Sequence, residues 1–388
     1  MLNRRSFLGR SAAVLAGAGV LGTTLGLGDR AFAAGAALPM TIVNHTYRYT
    51  NAQIFYYIVG TDLATGQQAY VTADGTMTPV SLSINGSDGY ADLSIPLVAD
   101  GDTPVNLPDG MSGRIYFSIV DKLRFRAVTD GNGNAALQYP AGWVTSDPNY
   151  LVLHDFFEFT HNNGMYCNST MVDQFAIPLA VNLVGSQNQT VGRLISGGRD
   201  NIFNAIAGNS DFAGLVVQNN LRVIAPGHGI DSGVFSSTYF DTYINSVWNQ
   251  YASSTLTVNT GSATYTGQVS NGQFVFSGGV APFNKPSTLD VFYCNGALAA
   301  PNDGVTGPVA AILGAGFNRS NLLTDASQPD SDASTFYQST PTNYYAKAMH
   351  DNMADGRAYG FPFDDVAGFA SYVSDGSPTS CTLELTPF

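Results

Sequence analysis

The sequence predicts a mainly β protein with a mixed α/β part. Between residues 40 and 183, short runs rich in Val, Ile, Phe and Tyr alternate with Asp-Gly, Asn-Gly and proline-rich turn signals. Helical periodicity appears only after that stretch, and the segment from Cys381 to Phe388 again alternates like a strand. We therefore expect a β-barrel or sandwich lobe over residues 38–185, completed by about 358–388, and a mixed α/β lobe over 186–357. The cleft between two such lobes is the usual place for a ligand.

Individual elements can be assigned along the chain. Strands are predicted for Ile54–Val59, Arg114–Val120 and Leu123–Val128. Helices are predicted for Ser237–Tyr251, Val309–Leu322 and Asn343–Met353, where apolar residues recur at helical spacing. Between these helices, residues 255–258, 265–276 and 290–294 have strand character, with a turn at Asn271-Gly272.

The first 33 residues have the features of an export signal. Arg4-Arg5-Ser6-Phe7-Leu8 matches a twin-arginine motif, and Ala31-Phe32-Ala33 matches an A-x-A cleavage site after a weakly apolar run. The run is too polar for a membrane-spanning helix, and no later segment reaches the ~18 apolar residues that a span requires. We expect a secreted protein that begins near Ala34 and does not contact a membrane after the signal is removed.

Charge and composition exclude several classes of partner. Removal of residues 1–33 would take away four arginines and one aspartate and change the formal net charge from −13 to −16. So acidic a chain is a poor candidate for binding nucleic acid or anionic lipid. Only 12% of its residues are charged and 12% are aromatic, a composition equally compatible with sugar binding and with a stable exported β protein. No phosphate loop, zinc spacing or Gly-x-Ser-x-Gly motif is present, so neither a cofactor nor a metal is expected.

Three cysteines allow at most one intramolecular disulfide. Cys294 ends a strand-like run and Cys381 begins the last one, so these two are the predicted pair. Cys167 is predicted to be a buried free thiol, because free cysteines are usually core residues.

Two carboxylates flank an Asn-Gly turn in the segment from Leu151 to Phe175, and they suggest a glycosidase. The first arm reads as a strand on which Phe156, Glu158 and Thr160 share a face. An aromatic environment raises the pKa of a carboxyl and keeps it protonated, as a general acid requires. Asp173, on the second arm, would be the ionised partner.

The spacing of the pair leaves its geometry open. A two-residue turn at Asn163-Gly164 would place Glu158 opposite Ser169 and leave Asp173 ~13 Å away along the strand, whereas a longer loop would oppose the pair at ~5 Å. Asp155, on the opposite face of the strand, is an alternative partner that we expect to be structural. Asp364 and Asp365 could line the groove or cap a turn. His228 lies in a Pro-Gly-His-Gly loop without a nucleophile motif and is expected to be an ordinary loop histidine.

Several motifs resemble known families. The start Leu38-Pro-Met-Thr-Ile-Val-Asn and the segment Tyr359-Gly-Phe-Pro-Phe-Asp-Asp resemble thaumatin-like proteins. The motifs Tyr57-Ile-Val-Gly-Thr-Asp, Gly113-Arg-Ile-Tyr-Phe-Ser, Ala225-Pro-Gly-His-Gly-Ile, Ala299-Ala-Pro-Asn-Asp-Gly-Val-Thr-Gly-Pro and Gly356-Arg-Ala-Tyr-Gly-Phe-Pro-Phe-Asp-Asp-Val resemble the bacterial β-1,3-glucanases of glycoside hydrolase family 64 over nearly the whole mature chain.

The resemblance implies a fold, an activity and a set of site residues. It implies a thaumatin-like β lobe and an α/β lobe around a wide cleft, and cleavage of linear β-1,3-glucan with inversion to give laminaripentaose. Glu158 would be the general acid and Asp173 the general base. The implied substrate-binding residues are Thr160, Asn162 or Asn163, Tyr166 and Thr170, with Asp365 in the groove. The loop is about one residue shorter than the family pattern, and Tyr166 stands where the family has Trp, which would weaken stacking.

Three functions follow as alternatives. The preferred one is a secreted, monomeric endo-acting β-1,3-glucanase whose partner is β-1,3-glucan. The second is a thaumatin-like glucan-binding protein without turnover, against which the presence of both carboxylates argues. The third is a structural cell-surface β protein, which predicts no chemistry in the cleft.

Overall fold

The computed structural model describes residues 35–388, so the predicted signal over residues 1–33 lies outside the described part. The strands of the first half are β1 Leu38–Asn44, β2 Ile54–Asp62, β3 Gln68–Val71, β4 Met77–Pro79, β5 Ile95–Pro96, β6 Thr103–Leu107, β7 Met111–Ile119, β8 Arg126–Thr129, β9 Ala135–Gln138, β10 Leu153–His161, β11 Met165–Asn168, β12 Gln174–Phe175, β13 Leu179–Val184 and β14 Asn188–Val191. The later strands are β15 Val216–Val217, β16 Arg222–Ile224, β17 Leu256–Asn259, β18 Thr264–Ser270, β19 Gln273–Phe276, β20 Ser327–Gln328, β21 Tyr372–Asp375 and β22 Ser380–Leu385.

The α-helices of the described chain all follow β14. They are α1 Gly198–Gly208, α2 Pro226–Asp231, α3 Asp241–Gln250, α4 Thr288–Tyr293, α5 Thr306–Arg319 and α6 Tyr344–Asp351. The predicted mainly β protein with a mixed α/β part is thereby confirmed.

Two sheets pack face to face to form the β lobe. A five-stranded sheet has the order β14-β13-β22-β1-β6, and an eight-stranded sheet has the order β21-β11-β10-β7-β2-β3-β4, with β5 paired to β2. Alternate residues of β1, namely Leu38, Met40 and Ile42, are buried between the sheets together with Phe157 and Phe159 of β10. This period of two is what a strand with one core-facing side requires.

Aromatic side chains cover one end of the second face of the eight-stranded sheet. Tyr57, Tyr116, Phe125 and Phe156 form an aromatic cluster there. It packs beside the β8–β9 hairpin. Further along the same face, the polar side chains of β7 and β10 replace the aromatic ones. β10 is buried on both faces from His154 to Phe159, and this stretch includes the polar residues His154, Asp155 and Glu158.

The α/β lobe contains a three-stranded sheet, β12-β16-β15, and a four-stranded sheet, β19-β18-β17-β20. Three predicted helices are confirmed as α3, α5 and α6, and the predicted Asn271-Gly272 turn joins β18 to β19 with positive φ at both residues. The strand predicted over 290–294 is wrong. Ser287 Oγ accepts a hydrogen bond from the Asp290 N–H, the Asp290 carboxylate accepts one from the Ser287 N–H, and this capping box begins helix α4.

The chain passes between the two lobes more than once, so residue 185 is not a single boundary between them. β12, before residue 185, pairs with β16 of the α/β lobe, and β14, after residue 185, pairs with β13 of the β lobe. No helix within residues 35–388 is long and apolar enough to cross a membrane.

The expected Cys294–Cys381 disulfide is wrong. All three cysteines are buried, and none of them forms a disulfide in the described residues. Cys294 follows α4 and packs near Phe361 and Phe363, whereas Cys381 lies on β22 in the core of the β sandwich. Cys381 instead neighbours Cys167 of β11, whose pKa is raised well above its ordinary value by burial and by Cys381. The error arose because residues 290–294 form a helix in the other lobe.

Candidate active site

A three-residue turn sets the register of the hairpin that carries Glu158. Asn162, Asn163 and Gly164 connect β10 to β11, the Asn162 N–H donates to the Gly164 carbonyl at 3.0 Å, and Asn163 has φ of 54°. Glu158 is consequently opposite Asn168, not Ser169 as a two-residue turn would require. Phe156, Glu158 and Thr160 share one face of β10, as predicted.

Asp173 does not lie on the second arm of this hairpin, so that prediction is wrong. β11 ends at Asn168, and Asp173 immediately precedes β12 in a different sheet. Its carbonyl accepts a hydrogen bond from the Ala225 N–H at 3.0 Å, which ties it to the α/β lobe. The Asp173 carboxylate therefore approaches Glu158, on the eight-stranded sheet, from the α/β lobe.

Arg114 of β7 brings the two carboxylates together. It is opposite Glu158 in the β7–β10 ladder, and its Nε and Nη2 donate to Glu158 Oε1 at 3.1 and 2.9 Å. The same Nη2 donates to Asp173 Oδ2 at 3.0 Å. Because both oxygens bond one nitrogen, they can be no more than about 5.9 Å apart, the sum of the two Nη2 distances.

The environment of the pair is buried, aromatic and cationic. Glu158 and Asp173 are 6% and 4% exposed, and the Arg114 guanidinium lies 4.0 Å from the centre of the Phe156 ring. Burial lowers the pKa of Arg114, but Tyr116, Glu158 and Asp173 together raise it well above its ordinary value. A guanidinium favours the ionised form of a carboxyl. The aromatic neighbours were expected to keep Glu158 protonated, but Arg114 acts in the opposite direction.

His228 contacts the predicted base, which sequence reasoning missed. Its Nε2 lies 2.9 Å from Asp173 Oδ1, and its Nδ1 lies 3.0 Å from the Tyr293 hydroxyl. The Trp143 ring stacks on the imidazole at 3.8 Å between centroids. Both His228 and Arg114 occur in motifs that carried the family resemblance, but the carboxylates that they bond are 44 to 59 residues away in sequence.

Thr160 and Tyr166 lie on the same face of the eight-stranded sheet as Glu158, closer to the turn after β10. They oppose each other across the β10–β11 pair, and both are half-buried. The Thr160 hydroxyl lies 2.7 Å from the Ser112 hydroxyl of β7. Asn162 and Asn163 are exposed at the turn, and the Asn163 N–H donates to Asp109 Oδ1 at 2.8 Å.

Thr170 and Asp365 both lie next to Tyr359. Thr170 is buried and forms an isolated bridge with Tyr359, whose hydroxyl donates to Asp365 Oδ1 at 3.5 Å. Burial raises the pKa of Tyr359 well above its ordinary value, and Asp365 and Glu158 raise it further. Burial also raises the pKa of Asp365 to about 6.

Two other carboxylates considered in the sequence analysis, Asp364 and Asp155, have structural roles. Asp364 is fully buried and bonds His350 and Arg319. Asp155 accepts hydrogen bonds from the N–H groups of Phe156, Ala176 and Ile177, as its expected structural role requires. No group of His, Cys, Asp or Glu within residues 35–388 has the arrangement of a metal site.

Comparison with known proteins identifies the family. The model of glycoside hydrolase family 64, described as β-1,3-glucanase, matches residues 36–385. Two glucan endo-1,3-β-glucosidases, from Cellulosimicrobium cellulans and from Arthrobacter sp. (strain YCWD3), are each 36% identical over 403 aligned residues, which cover all of this chain and 71% of theirs. The protein belongs to glycoside hydrolase family 64.

Solved structures of family 64 share this architecture. A laminaripentaose-producing β-1,3-glucanase in complex with laminaritetraose is 38% identical, with a TM-score of 0.82 over 91% of this chain and 99% of that one. The β-1,3-glucanase domain from Clostridium beijerinckii is 29% identical, with a TM-score of 0.80 over 91% and 98% of the two chains. The family 64 enzyme described here is thus a β-1,3-glucanase with the fold of its relatives.

Proposed function

We propose that this β-1,3-glucanase is exported, acts as a monomer within linear β-1,3-glucan and cleaves it by a single inverting displacement, releasing laminaripentaose. The observation that carries the proposal is the bridge from Arg114 to Glu158 and Asp173, which holds two carboxylates from different lobes at one sheet face. The relative described as laminaripentaose-producing supports the product. The twin-arginine motif at Arg4-Arg5 supports export.

Glu158 and Asp173 have complementary roles in this reaction. Glu158 gives its proton to the glycosidic oxygen as the bond from that oxygen to C1 breaks. Asp173 takes a proton from a water that attacks C1 from the other face, so that one C–O bond forms as the other breaks. Glu158 ends ionised and Asp173 ends protonated, and both must return to their first state before the next turnover.

Substrate contacts would come from both sides of the pair. Tyr166 offers an aromatic ring for a sugar face, and Thr160 offers a hydroxyl that already bonds Ser112. Asn162 and Asn163 at the turn, and Thr170 and Asp365 beside Tyr359, are the further contacts expected from the family resemblance.

Replacement of the two carboxylates tests the assignment. Glu158→Gln and Asp173→Asn should each lower kcat on linear β-1,3-glucan by ~10²- to 10⁴-fold, because proton transfer in the transition state is worth that factor. Asp100→Asn, at an exposed site, is the matched control. Near-normal reducing-sugar release by either folded site variant would contradict the roles, and glucan binding without any release by the wild type would favour a binding protein.

Product stereochemistry tests the mechanism. The facing oxygens are at most about 5.9 Å apart, a bound that does not reach the ~6.5 to 9.5 Å of an inverting pair, so inversion is proposed from the family resemblance alone. Single displacement at a β-linkage gives an α reducing end first, which proton NMR of the earliest product detects. A β anomer appearing first would remove Asp173 from its role as base.

A further inference from the structure

We infer that Tyr372 of β21 is a specificity-determining residue, and that its ring and the neighbouring Asn168 carboxamide form a subsite for a glucose unit of β-1,3-glucan away from the cleaved bond. The inference rests on the proposed placement of that bond at Glu158 and Asp173. It adds the outermost strand of the eight-stranded sheet to the binding surface.

One row of side chains crosses four strands of this sheet. Arg114 of β7 is opposite Glu158 of β10. Glu158 is opposite Asn168 of β11, which in turn is opposite Tyr372 of β21. Residues opposite each other in a ladder have their side chains on the same face. Val373, the next residue of β21, is buried between the two sheets, so Tyr372 points to the other face, which carries Glu158.

The position of Tyr372 in the row separates it from the reacting atoms. The strand order is β21-β11-β10, so β21 is two strands away from β10. Neighbouring strands are ~4.8 Å apart, which puts the two backbones roughly 10 Å apart. The glucose unit whose glycosidic oxygen takes the Glu158 proton would therefore not lie over Tyr372, whereas a unit further along the same polymer would.

The surroundings of Tyr372 have the chemistry of a sugar site. The residue is half-buried, so part of its side chain is open to solvent. Burial raises the pKa of its hydroxyl to about 12, with smaller contributions from the nearby Asp365 and Tyr166. Tyr166 is opposite Ser374, two residues along β21 from Tyr372, and lies on the same face. Two tyrosine rings and a carboxylate thus combine the aromatic surface and the hydrogen-bonding groups that bind sugars.

Asn168 provides a second, independent observation. It is 7% exposed, and its Oδ1 has no hydrogen-bond partner among residues 35–388. Buried acceptors are nearly always paired, so a donor on a bound molecule would complete this one. The hydroxyl groups of glucose are such donors. Asn168 lies between Glu158 and Tyr372 in the row, where a polymer in contact with both would pass.

Oligosaccharide binding to an inactive enzyme tests the subsite. The background is Glu158→Gln, and calorimetric titration with a β-1,3-linked glucose hexasaccharide gives the affinity. Adding Tyr372→Leu, which keeps an apolar side chain without a ring, should lower this affinity by about 2- to 12-fold. Tyr372→Phe keeps the ring and should retain the affinity. Tyr47→Leu, at a side chain 84% exposed, is the control and should change nothing.

Two further measurements complete the test. Asn168→Ala in the same background should also lower the affinity by about 2- to 12-fold, as expected for the loss of one hydrogen bond. In the active enzyme, Tyr372→Leu should raise KM for linear β-1,3-glucan by the same factor and leave kcat unchanged, because Tyr372 does not touch the reacting atoms. Unchanged affinity in Asn168→Ala would remove the carboxamide from the subsite.

The outcomes separate this inference from the proposed function. Full activity of Glu158→Gln would overturn the role of the acid, on which the subsite rests. Inactive Glu158→Gln combined with unchanged hexasaccharide affinity in Tyr372→Leu would overturn the subsite alone. A loss of affinity that is equal in Tyr372→Phe and Tyr372→Leu, or that accompanies a fall in the unfolding midpoint, would show a role other than stacking and would also overturn the subsite.

Discussion

Arg114 lies directly opposite Glu158 in the β7–β10 ladder, and two of its nitrogens donate to the same oxygen, Oε1. The strand register fixes this pair within the β lobe. Because one of those nitrogens also reaches Asp173, the orientation of the acid relative to the base depends on a single guanidinium.

Arg114→Lys should therefore lower kcat far more than it lowers stability. Lysine keeps the positive charge but lacks the planar fork that holds one carboxylate with two nitrogens while bonding another. We expect kcat to fall by about 10-fold or more, since misplaced catalytic groups cost on that order. Kinetics on linear β-1,3-glucan and urea unfolding of the same samples measure the two quantities. Arg193→Lys, which alters an exposed pair with Glu384, is the control, and an unchanged kcat in Arg114→Lys would contradict the role of the fork.

Arg114→Met should move the pH dependence of kcat. Without the cation, each carboxylate faces another negative charge and binds a proton more readily. The low-pH limb of the profile, where Asp173 must ionise, should consequently shift to higher pH. A shift to lower pH would mean that Arg114 does not stabilise the ionised base.

Asp155 should contribute to stability at low pH. Burial raises its pKa to about 7, although hydrogen bonds from Ala176, Ile177 and Phe156 lower it. A carboxyl whose pKa is raised by folding binds its proton more tightly when folded, so its contribution is present below pH ~4 and is lost as the pH rises through about 7. The free energy of unfolding of wild type minus that of Asp155→Asn should then decrease between pH 4 and 7 by up to about 4 kcal/mol.

Urea unfolding at several pH values measures this difference. Asp100→Asn, at an exposed site, should give a difference from wild type that does not vary with pH. A wild-type advantage over Asp155→Asn that grows with pH would indicate instead that Asp155 is ionised in the folded protein.

Tyr166 should determine affinity more than turnover. It is half-buried on the face that carries Glu158, opposite Thr160, and has a ring available for stacking on a sugar. Tyr166→Ala should raise KM for linear β-1,3-glucan by about 2- to 12-fold, as expected for the loss of ~0.5 to 1.5 kcal/mol of aromatic contact. Tyr166→Trp should lower KM. Tyr47→Ala is the exposed control, and a Tyr166→Ala variant with unchanged KM would remove this ring from the binding surface.

Thiol counting tests the corrected cysteine assignment. The three cysteines are buried and unbridged, so a thiol reagent should label none in the native protein and three after denaturation. A reducing agent should leave the unfolding midpoint unchanged. Labelling of only one thiol in the denatured protein would reveal a disulfide, and peptide mapping would tell Cys294–Cys381 from Cys167–Cys381.

The features that depend on local periodicity could be predicted from the sequence alone. Alternation along β10 placed Phe156, Glu158 and Thr160 on one face, because successive side chains of a strand point to opposite sides. Helical spacing located α3, α5 and α6, and Asn271-Gly272 fixed a hairpin turn through residues that tolerate positive φ. The long motifs indicated the family before any contact was known.

The contacts between side chains distant in sequence became known from the three-dimensional fold. One extra residue in the turn after β10 shifted the partner of Glu158 to Asn168, and departure of the chain from β11 placed Asp173 on the side of the other lobe. Arg114 and His228 reach the carboxylates across 44 to 59 residues of sequence, and Cys381 lies beside Cys167 while Cys294 lies in the other lobe. Local periodicity reports the face on which a residue lies, whereas these contacts depend on strand register and on the packing of one lobe against the other, which no short pattern encodes.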